Sequence, residues 1–200
     1  MDIYFKEFAI RVSMQNILAI NGSPNSYGST AKALNAVAEE MMVGDYSTEV
    51  VNLGELNIAH CRACMNCKKT GECAIVDDMV PLYEKIREAD VLIFGTPVYF
   101  GAETGLFKNF LDRMYAMIQI KNGVRTPEFG RPKKGSVMLT CGAPDGDMMY
   151  HGVVTHLLSL LRSFGISDVT SAIIPKANPE TIFELPQYDD YVGALEFQLL

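Results

Sequence analysis

Four of the five cysteines of this chain lie within one short segment, with the spacing Cys-x2-Cys-x2-Cys-x5-Cys. They are Cys61, Cys64, Cys67 and Cys73. Three thiols at three-residue steps fit on one tight turn, and the fourth returns after a loop that contains Gly71. This compact spacing suits a [4Fe-4S] cluster, in which each iron takes one thiolate. The alternatives are zinc, which more often uses two separated Cys-x2-Cys pairs, a redox dithiol, and four unligated thiols.

A second segment, residues 21–30 with the sequence NGSPNSYGST, is suited to binding an anion. It separates an apolar run at 17–20 from a helical pattern, which predicts a turn between a buried strand and a helix. Backbone N–H groups and the helix dipole favour a phosphate at such a turn. A helix cap alone needs only one hydroxyl, and this turn has several. The candidate residues are Gly22, Gly28, Ser23, Asn25, Ser26, Ser29 and Thr30. The segment has neither a GxxxxGK[ST] nor a GxGxxG pattern, so it supports neither a nucleotide triphosphatase nor a dinucleotide fingerprint.

A third segment, residues 95–101, has the composition of a site for a flat ring. Tyr99 and Phe100 offer aromatic faces, and Gly95 and Gly101 allow a ligand to approach the backbone closely. Backbone N–H groups beside a flavin can hydrogen-bond its ring and tune its reduction potential. The alternative is that both aromatic residues are ordinary members of the hydrophobic core.

Apolar runs and helical patterns alternate along the chain, which predicts a parallel, doubly wound sheet. Strands are expected at 17–20, 49–53, 91–94, 136–140 and 170–174, with a loop at 121–134. Five strands with an anion-binding turn after the first suggest the flavodoxin-like order 2-1-3-4-5 in a three-layer α/β/α sandwich. Ligands of such sheets bind beyond the carboxyl ends of the strands, so the loops at 21–30, 54–73, 95–103 and 140–147 should be neighbours. The helix expected at 103–117 has two apolar stripes, which together are wider than one sheet face requires, and we expect part of this surface to meet a second subunit.

The three segments together resemble the flavodoxin-like NAD(P)H:FMN reductases and iron–sulfur flavoproteins. Residues 21–30 are similar to the NGSPRxxGNT loop that holds the FMN phosphate in that family, except that Asn25 replaces Arg and Ser29 replaces Asn. Residues 95–99 resemble the motif that holds the isoalloxazine ring, and the cysteine spacing falls within the family's compact motif. The resemblance covers about residues 14–174.

The resemblance implies that FMN lies against the turn, the aromatic segment and the loop after the fourth strand. The implied FMN-binding residues are Ser23, Asn25, Ser26, Gly28, Ser29, Thr30, Pro97, Val98, Tyr99, Phe100, Gly101, Cys141 and Gly142. Cys141 by itself reads as a small buried apolar residue. The implied cluster ligands are the four clustered cysteines. No residue is expected to act as an acid, base or nucleophile, because flavin chemistry does not require one.

The resemblance further implies an FMN-dependent oxidoreductase that is reduced by NAD(P)H or by reduced ferredoxin and assembles as a homodimer or homotetramer. Two other functions remain open. One is a plain NAD(P)H:FMN or quinone reductase without a cluster, and the other is a flavodoxin-like electron carrier. A zinc-stabilised binding module is a weaker third possibility. We expect one domain at 14–200, preceded by an N-terminal extension at 1–13 that is either an optional leader or an added edge strand or dimer arm.

Composition excludes several other classes of protein. The 200 residues are 48% hydrophobic and 20% charged, as in globular domains, and the net charge is −7. That charge argues against a nucleic-acid surface and against an anionic membrane as partners. No apolar run reaches transmembrane length and no signal peptide is evident, so we expect a cytoplasmic protein whose cysteines are thiols or ligands.

Other polar residues are expected to be structural. Asp78 stands at the head of the helix expected at 78–88 and should cap it, rather than form an acid/base pair with Asp77. Lys108 and Asp112 should form an ion pair across one helical turn. His60 precedes the first clustered cysteine and could support a metal ligand, but a structural role is the simpler interpretation.

Overall fold

Five parallel strands form the central sheet in the computed structural model, which describes residues 15–43 and 46–199. The strands are β1 (Asn16–Asn21), β2 (Ser47–Asn52), β3 (Val91–Pro97), β6 (Lys133–Thr140) and β7 (Ile166–Ile174), in the order β2-β1-β3-β6-β7. The expected flavodoxin-like order is therefore confirmed. The central strand β3 is buried over residues 91–96, which explains why its sequence is continuously apolar instead of alternating.

Helices cover both faces of the sheet. They are α1 (Ser29–Val43), α2 (Asn66–Thr70), α3 (Met79–Glu88), α4 (Gly105–Arg113), α5 (Gly146–Met149), α6 (His151–Ser163) and α7 (Pro186–Leu199). Short 3₁₀ turns lie at Leu53–Glu55, Met114–Met117 and Ile182–Glu184. Successive side chains of β1 point to opposite faces, so Leu18 and Ile20 pack with α3, α4 and α6, and Ile17 and Ala19 pack with α1 and α7.

The segment expected to be a loop at 121–134 instead contains an antiparallel hairpin, so that expectation is wrong. Strands β4 (Ile118–Lys121) and β5 (Val124–Pro127) pair with each other and not with the main sheet. Asn122 and Gly123, with φ of 53° and 79°, form the turn between them. An Asn-Gly pair is a strong hairpin signal, but the flanking residues are too polar and exposed to show the alternation of a half-buried strand.

The two apolar stripes at 103–117, part of which is expected to reach a second subunit, are largely buried within this chain. The first ends in Met114 and Ile118, and the second in Phe110 and Met117, all of them no more than 3% exposed. They contact the core formed by β1, β3, α3 and α6, including the ring of Phe94, which lies 6.0 Å from that of Phe110. Packing within the chain therefore accounts for most of this apolar surface. Leu106 is only partly buried, and the contact of part of the surface with a second subunit stays a prediction.

Two further expectations concern the chain as a whole. The N-terminal extension at 1–13 lies outside the described residues. Within the described ranges, no helix combines the length and the apolar character that crossing a bilayer requires.

A buried lysine at the opposite edge of the sheet gives the fold a pH-dependent stability. Lys133 is 3% exposed, and its Nζ donates to the carbonyls of Arg87, at 3.0 Å, and Ala89, at the C-terminal end of α3. Burial, with repulsion from Arg131, lowers the pKa of Lys133 to about 8. The unfolded chain therefore holds the Lys133 proton more tightly than the folded chain does. As a result, the contribution of Lys133 to the free energy of unfolding should rise between about pH 8 and pH 10.

Urea titrations of the wild type and of Lys133→Met over that pH range would measure this contribution. The variant cannot release the proton, so the difference in stability between wild type and variant should move in favour of the wild type as the pH rises. Parallel stability curves for the two proteins would contradict the assignment.

Candidate functional site

Three of the loops expected to be neighbours meet at the carboxyl edge of the sheet and line a cavity of about 200 Å³. The lining residues that the sequence had identified are Ser23, Asn25, Gly28, Ser29, Thr30, Pro97, Val98, Tyr99, Cys141 and Gly142. Ser26, Phe100 and Gly101 belong to the same loops but do not line the cavity.

Thr140 and Ala177 also line the cavity, and neither was among the candidates from the sequence. Thr140 ends β6, so the rule that ligands bind beyond strand ends could have identified it. Ala177 is brought there by a hydrogen bond of 2.8 Å from its N–H to the carbonyl of Cys141, and no local pattern indicates that contact.

The turn between β1 and α1 is held in place by its own side chains. Ser23 N–H donates to Asn21 Oδ1 at 3.0 Å, and Asn25 N–H donates to Ser23 Oγ at 3.1 Å. Gly22 donates to the carbonyl of Gly95 at 2.7 Å, which ties this turn to β3. A Cβ at Gly22 would lie 2.7 Å from Cβ of Phe107, so only glycine fits this close approach. These hydrogen bonds and this close contact therefore hold the turn in place.

The first turn of α1 faces this cavity with hydrogen-bond donors that the helix itself does not use. Ser29, Thr30 and Ala31 open the helix, so their N–H groups have no intrahelical carbonyl to bind. The Oγ1 atoms of Thr30 and Thr140 lie 2.7 Å apart, and both side chains are buried. Ser29, in contrast, is half-buried, and its hydroxyl has no hydrogen bond to another described residue.

The cavity has no charged side chain among its lining residues. An anion bound there would therefore be held by backbone N–H groups, hydroxyls and the dipole of α1, without a salt bridge. The absence of a charged side chain from this lining agrees with Asn25, which stands where the family that the sequence resembles has arginine.

The aromatic segment after β3 forms a tight turn at the rim of this cavity. Tyr99 and Ala102 exchange two backbone hydrogen bonds of 2.9 and 3.2 Å, and Phe100 and Gly101 between them have φ of 51° and 78°. Positive φ at both central residues defines a type I′ turn, a conformation that glycine adopts easily and phenylalanine does not. Phe100 is fully exposed and Tyr99 is half exposed, so neither is a core aromatic. A strained, exposed aromatic residue beside a cavity indicates a ligand surface.

The cysteine segment lies along the same edge, between β2 and α3. Cys61 and Cys64 are exposed, Cys67 and Cys73 are half-buried, and all four are free thiols. Between them, Ala63 and Met65 have left-handed φ of 51° and 60°. Left-handed residues of this kind occur in the backbone turns whose N–H groups form anion-binding concavities at many iron–sulfur sites. The donor type and the backbone conformation of this loop therefore fit an iron–sulfur cluster.

The spacing of these thiols can also be compared with what a single zinc ion requires. Among the described residues, no three His, Cys, Asp or Glu side chains converge as a group that could hold a single metal ion. A zinc ion requires such convergence, with each sulfur about 2.3 Å from the metal. A [4Fe-4S] cube, with one thiolate on each iron, also needs its four cysteines to converge, although at a wider spacing.

Asp77, and not Asp78, provides the helix cap, so the expectation for Asp78 is wrong. Asp77 Oδ1 accepts from the N–H of Met79 at 3.1 Å, whereas Asp78 makes no cap hydrogen bond to α3 and accepts instead from Asn57 N–H at 2.6 Å. Asp77 also forms an ion pair with Arg113. Burial alone would raise the pKa of Asp77, but hydrogen bonds from Arg113 and from backbone N–H groups hold it below its usual value.

The remaining polar residues have structural partners, as expected. His60 Nδ1 lies 3.2 Å from Oδ1 of Asn109, and Lys108 pairs with Asp112 at 2.5 Å on an exposed face of α4. Cys141 is buried at the cavity wall.

The fold and the site define a flavodoxin-like α/β protein with a cavity at the first turn of α1 and an exposed aromatic turn on the same edge of its sheet. The family model for NADPH-dependent FMN reductase matches residues 15–178. The chain therefore belongs to the NADPH-dependent FMN reductase family, whose members are flavin-dependent oxidoreductases.

Similar proteins agree with this membership. An iron–sulfur flavoprotein of Archaeoglobus fulgidus is 42% identical over 97 residues, which are 48% of this chain and 47% of that protein. One of Methanosarcina thermophila is 30% identical over 143 residues, covering 69% of this chain and 75% of that protein. The chain spans roughly half the length of three curated relatives that it matches, with 47%, 58% and 47% of them covered. Among solved structures, an NAD(P)H:quinone oxidoreductase of Methanothermobacter marburgensis superposes with a TM-score of 0.70 at 17% identity, over 91% of this chain and 96% of the other, and so agrees in fold.

Proposed function

We propose that this protein is an FMN-dependent oxidoreductase whose FMN phosphate binds at the first turn of α1. The observation that carries the proposal is the preformed turn itself. It presents the N–H groups of Ser29 and Thr30 and the hydroxyl of Ser29 to one cavity, with no protein acceptor for the helix donors. Family membership supports FMN as the ligand.

The chain contributes position and shape to the reaction. Bound FMN would supply the transfer of electrons, singly or in pairs. Ser23, Asn25, Ser26, Gly28, Ser29 and Thr30 would hold its phosphate end, and the segment Pro97, Val98, Tyr99, Phe100 and Gly101, with Cys141 and Gly142, would border its ring. Tyr99 and Phe100 lie exposed at the rim, where they would orient flat reactants such as a nicotinamide or a quinone.

We further propose that Cys61, Cys64, Cys67 and Cys73 hold a [4Fe-4S] cluster. The left-handed residues Ala63 and Met65 of the cysteine loop support this proposal, as do the names of the relatives, which are iron–sulfur flavoproteins. Such a cluster would add one-electron transfer to the chemistry of the flavin. NAD(P)H or reduced ferredoxin would supply the electrons, and a homodimer or homotetramer would be the working assembly.

A plain NAD(P)H:FMN or quinone reductase without a cluster is a second candidate, and one observation favours it. Cys61 and Cys64 are exposed, as unligated thiols of a surface loop would be. The similar solved structures include NADH:FMN and NAD(P)H:quinone oxidoreductases, which agree with this candidate in fold.

Anaerobic purification followed by assays of FMN, iron, sulfide and zinc per chain would separate these candidates. FMN with about four irons and four sulfides supports the cluster, and FMN without iron supports the plain reductase. Absence of flavin even after incubation with FMN would overturn the central proposal. Reduction by NADH, NADPH and reduced ferredoxin, followed by stopped-flow absorbance, would distinguish a reductase from an electron carrier.

Phe100 offers a test of the aromatic turn. Replacing Phe100 with asparagine, which tolerates positive φ better, should leave the free energy of unfolding unchanged or raise it by up to about 1 kcal/mol. The same change should lower turnover with NAD(P)H and quinones, because the exposed aromatic surface is lost. Urea unfolding and steady-state kinetics measure the two effects. If Phe100→Asn lowered the free energy of unfolding and turnover fell with it, Phe100 would have a structural role instead.

A further inference from the structure

One buried arginine contacts both ends of the cysteine loop. Arg113, the last residue of α4, is 1% exposed. Its Nη1 donates to the carbonyl of Ala59 at 2.8 Å, just before the first clustered cysteine. Its Nη2 reaches the carbonyl of Ile75 at 3.4 Å, just after the last one. Both nitrogens also bind Asp77, at 2.6 and 3.0 Å. A single guanidinium therefore joins the entry and the exit of the loop.

A second residue on the same helix face reinforces the entry side. Asn109 lies one turn before Arg113, and its Nδ2 donates to the carbonyl of Ile58 at 2.7 Å, while its Oδ1 lies 3.2 Å from Nδ1 of His60. The exit side is reinforced by Tyr83, whose hydroxyl donates to the carbonyl of Arg113 at 2.9 Å. These contacts are separated by 30 to 54 residues in sequence, so they depend on the packing of α4 against the core.

The guanidinium is not fully used by these partners. Arg113 Nε is buried and has no hydrogen-bond partner among the described residues. A buried N–H without an acceptor is costly, and a thiolate or sulfide ligand set next to Cys73 would offer negative charge nearby.

We propose that Arg113 is the positioning residue of the cysteine loop, because its planar fork holds the two ends of the loop together before metal binds. A role of Arg113 at the metal site rests on the proposed iron–sulfur function. Its role in holding the two ends of the cysteine loop together does not depend on that function. Lysine cannot replace it, because a point charge on a flexible stem does not bind two carbonyls and a carboxylate in one plane.

Hydrogen exchange on iron-free, FMN-containing protein tests the closure directly. Arg113→Lys retains the charge, so Asp77 keeps a cation, but the fork is lost. Amides at 59–77 should exchange at least tenfold faster than in the wild type, while those of β1, β3 and β6 are unchanged. Lys108→Met is the matched control on the exposed face of α4 and should exchange like the wild type throughout. Asn109→Ala should accelerate exchange only on the entry side, at 58–64.

Iron release provides the second measurement. After reconstitution with iron and sulfide, Arg113→Lys should lose iron to a chelator at least tenfold faster than the wild type and Lys108→Met, while all three retain FMN equally. Wild-type protein that never takes up iron would refute the proposed cluster, and exchange at 59–77 would still decide the role of Arg113. Uniformly faster exchange in Arg113→Lys, or exchange unchanged from the wild type, would overturn the positioning role. If Arg113→Lys fails to fold, hydrogen exchange in Asn109→Ala decides between the outcomes. Faster exchange confined to 58–64 would support the proposal that α4 holds the loop ends together. Exchange at 58–64 equal to that of the wild type would overturn it.

Discussion

Ser29→Glu should weaken FMN binding at least 100-fold without destabilising the fold. The glutamate would place its carboxylate at the first turn of α1, where the proposed phosphate binds, and two like charges about 4 Å apart near a protein surface repel by about 4 kcal/mol. The helix dipole favours a carboxylate at this position by about 0.3–1 kcal/mol, so the free protein should be as stable as the wild type or slightly more stable. Fluorescence titration with FMN and thermal unfolding of the flavin-free protein measure the two quantities.

Ser29→Ala is the control that removes the hydroxyl without adding charge. It should weaken FMN binding by about tenfold or less, the value of one hydrogen bond. Riboflavin, which lacks the phosphate, should bind Ser29→Glu and the wild type equally. Unchanged FMN affinity in Ser29→Glu would place the phosphate elsewhere and remove the main support for the proposed function. Ser23 and Thr30 are poorer sites for this experiment, because both are buried and a new charge there would destabilise the fold itself.

Asp77→Ala should cost about 3–5 kcal/mol of unfolding free energy, the largest loss of stability that we expect from a single polar substitution here. The change leaves the Arg113 guanidinium, which is 1% exposed, without its anionic partner. It also removes the acceptor for the N–H of Ala59 at 2.9 Å and the cap of α3. Urea unfolding of the flavin-free protein measures the loss.

Asp78→Ala is a natural control, because the neighbouring carboxylate is exposed and accepts one hydrogen bond, from Asn57. It should cost about 1 kcal/mol of unfolding free energy.

The losses of stability in the Asp77 and Asp78 variants should also differ in their pH dependence. Because the pKa of Asp77 is held below its usual value, the stability it contributes should be fully present above about pH 4 and should disappear as the pH falls further. Equal losses in the two variants would mean that the Arg113 pair is not the main source of stability.

The sequence alone determined the order of the sheet and the edge on which the chemistry lies. Continuous apolar runs such as 91–94 identify buried parallel strands, and loops that follow such strands must meet at one edge. That reasoning predicts Ser29, Tyr99 and Cys141 at one site, and all three line the same cavity. Local pattern was sufficient because backbone periodicity and parallel topology do not depend on which side chains touch.

Only the tertiary structure decided which of the candidate side chains are already hydrogen-bonded within the chain and which remain available to a ligand. Thr30 is paired with Thr140, which lies 110 residues away in sequence, whereas Ser29 has no such partner in the described chain. Asp77 caps α3 in place of its neighbour because Arg113, 36 residues later, is packed next to it. Hydrogen-bond partners of this kind are set by how α4 and β6 pack against the rest of the core. Neither residue spacing nor composition contains that information, because contacts between distant segments form only when the whole core is assembled.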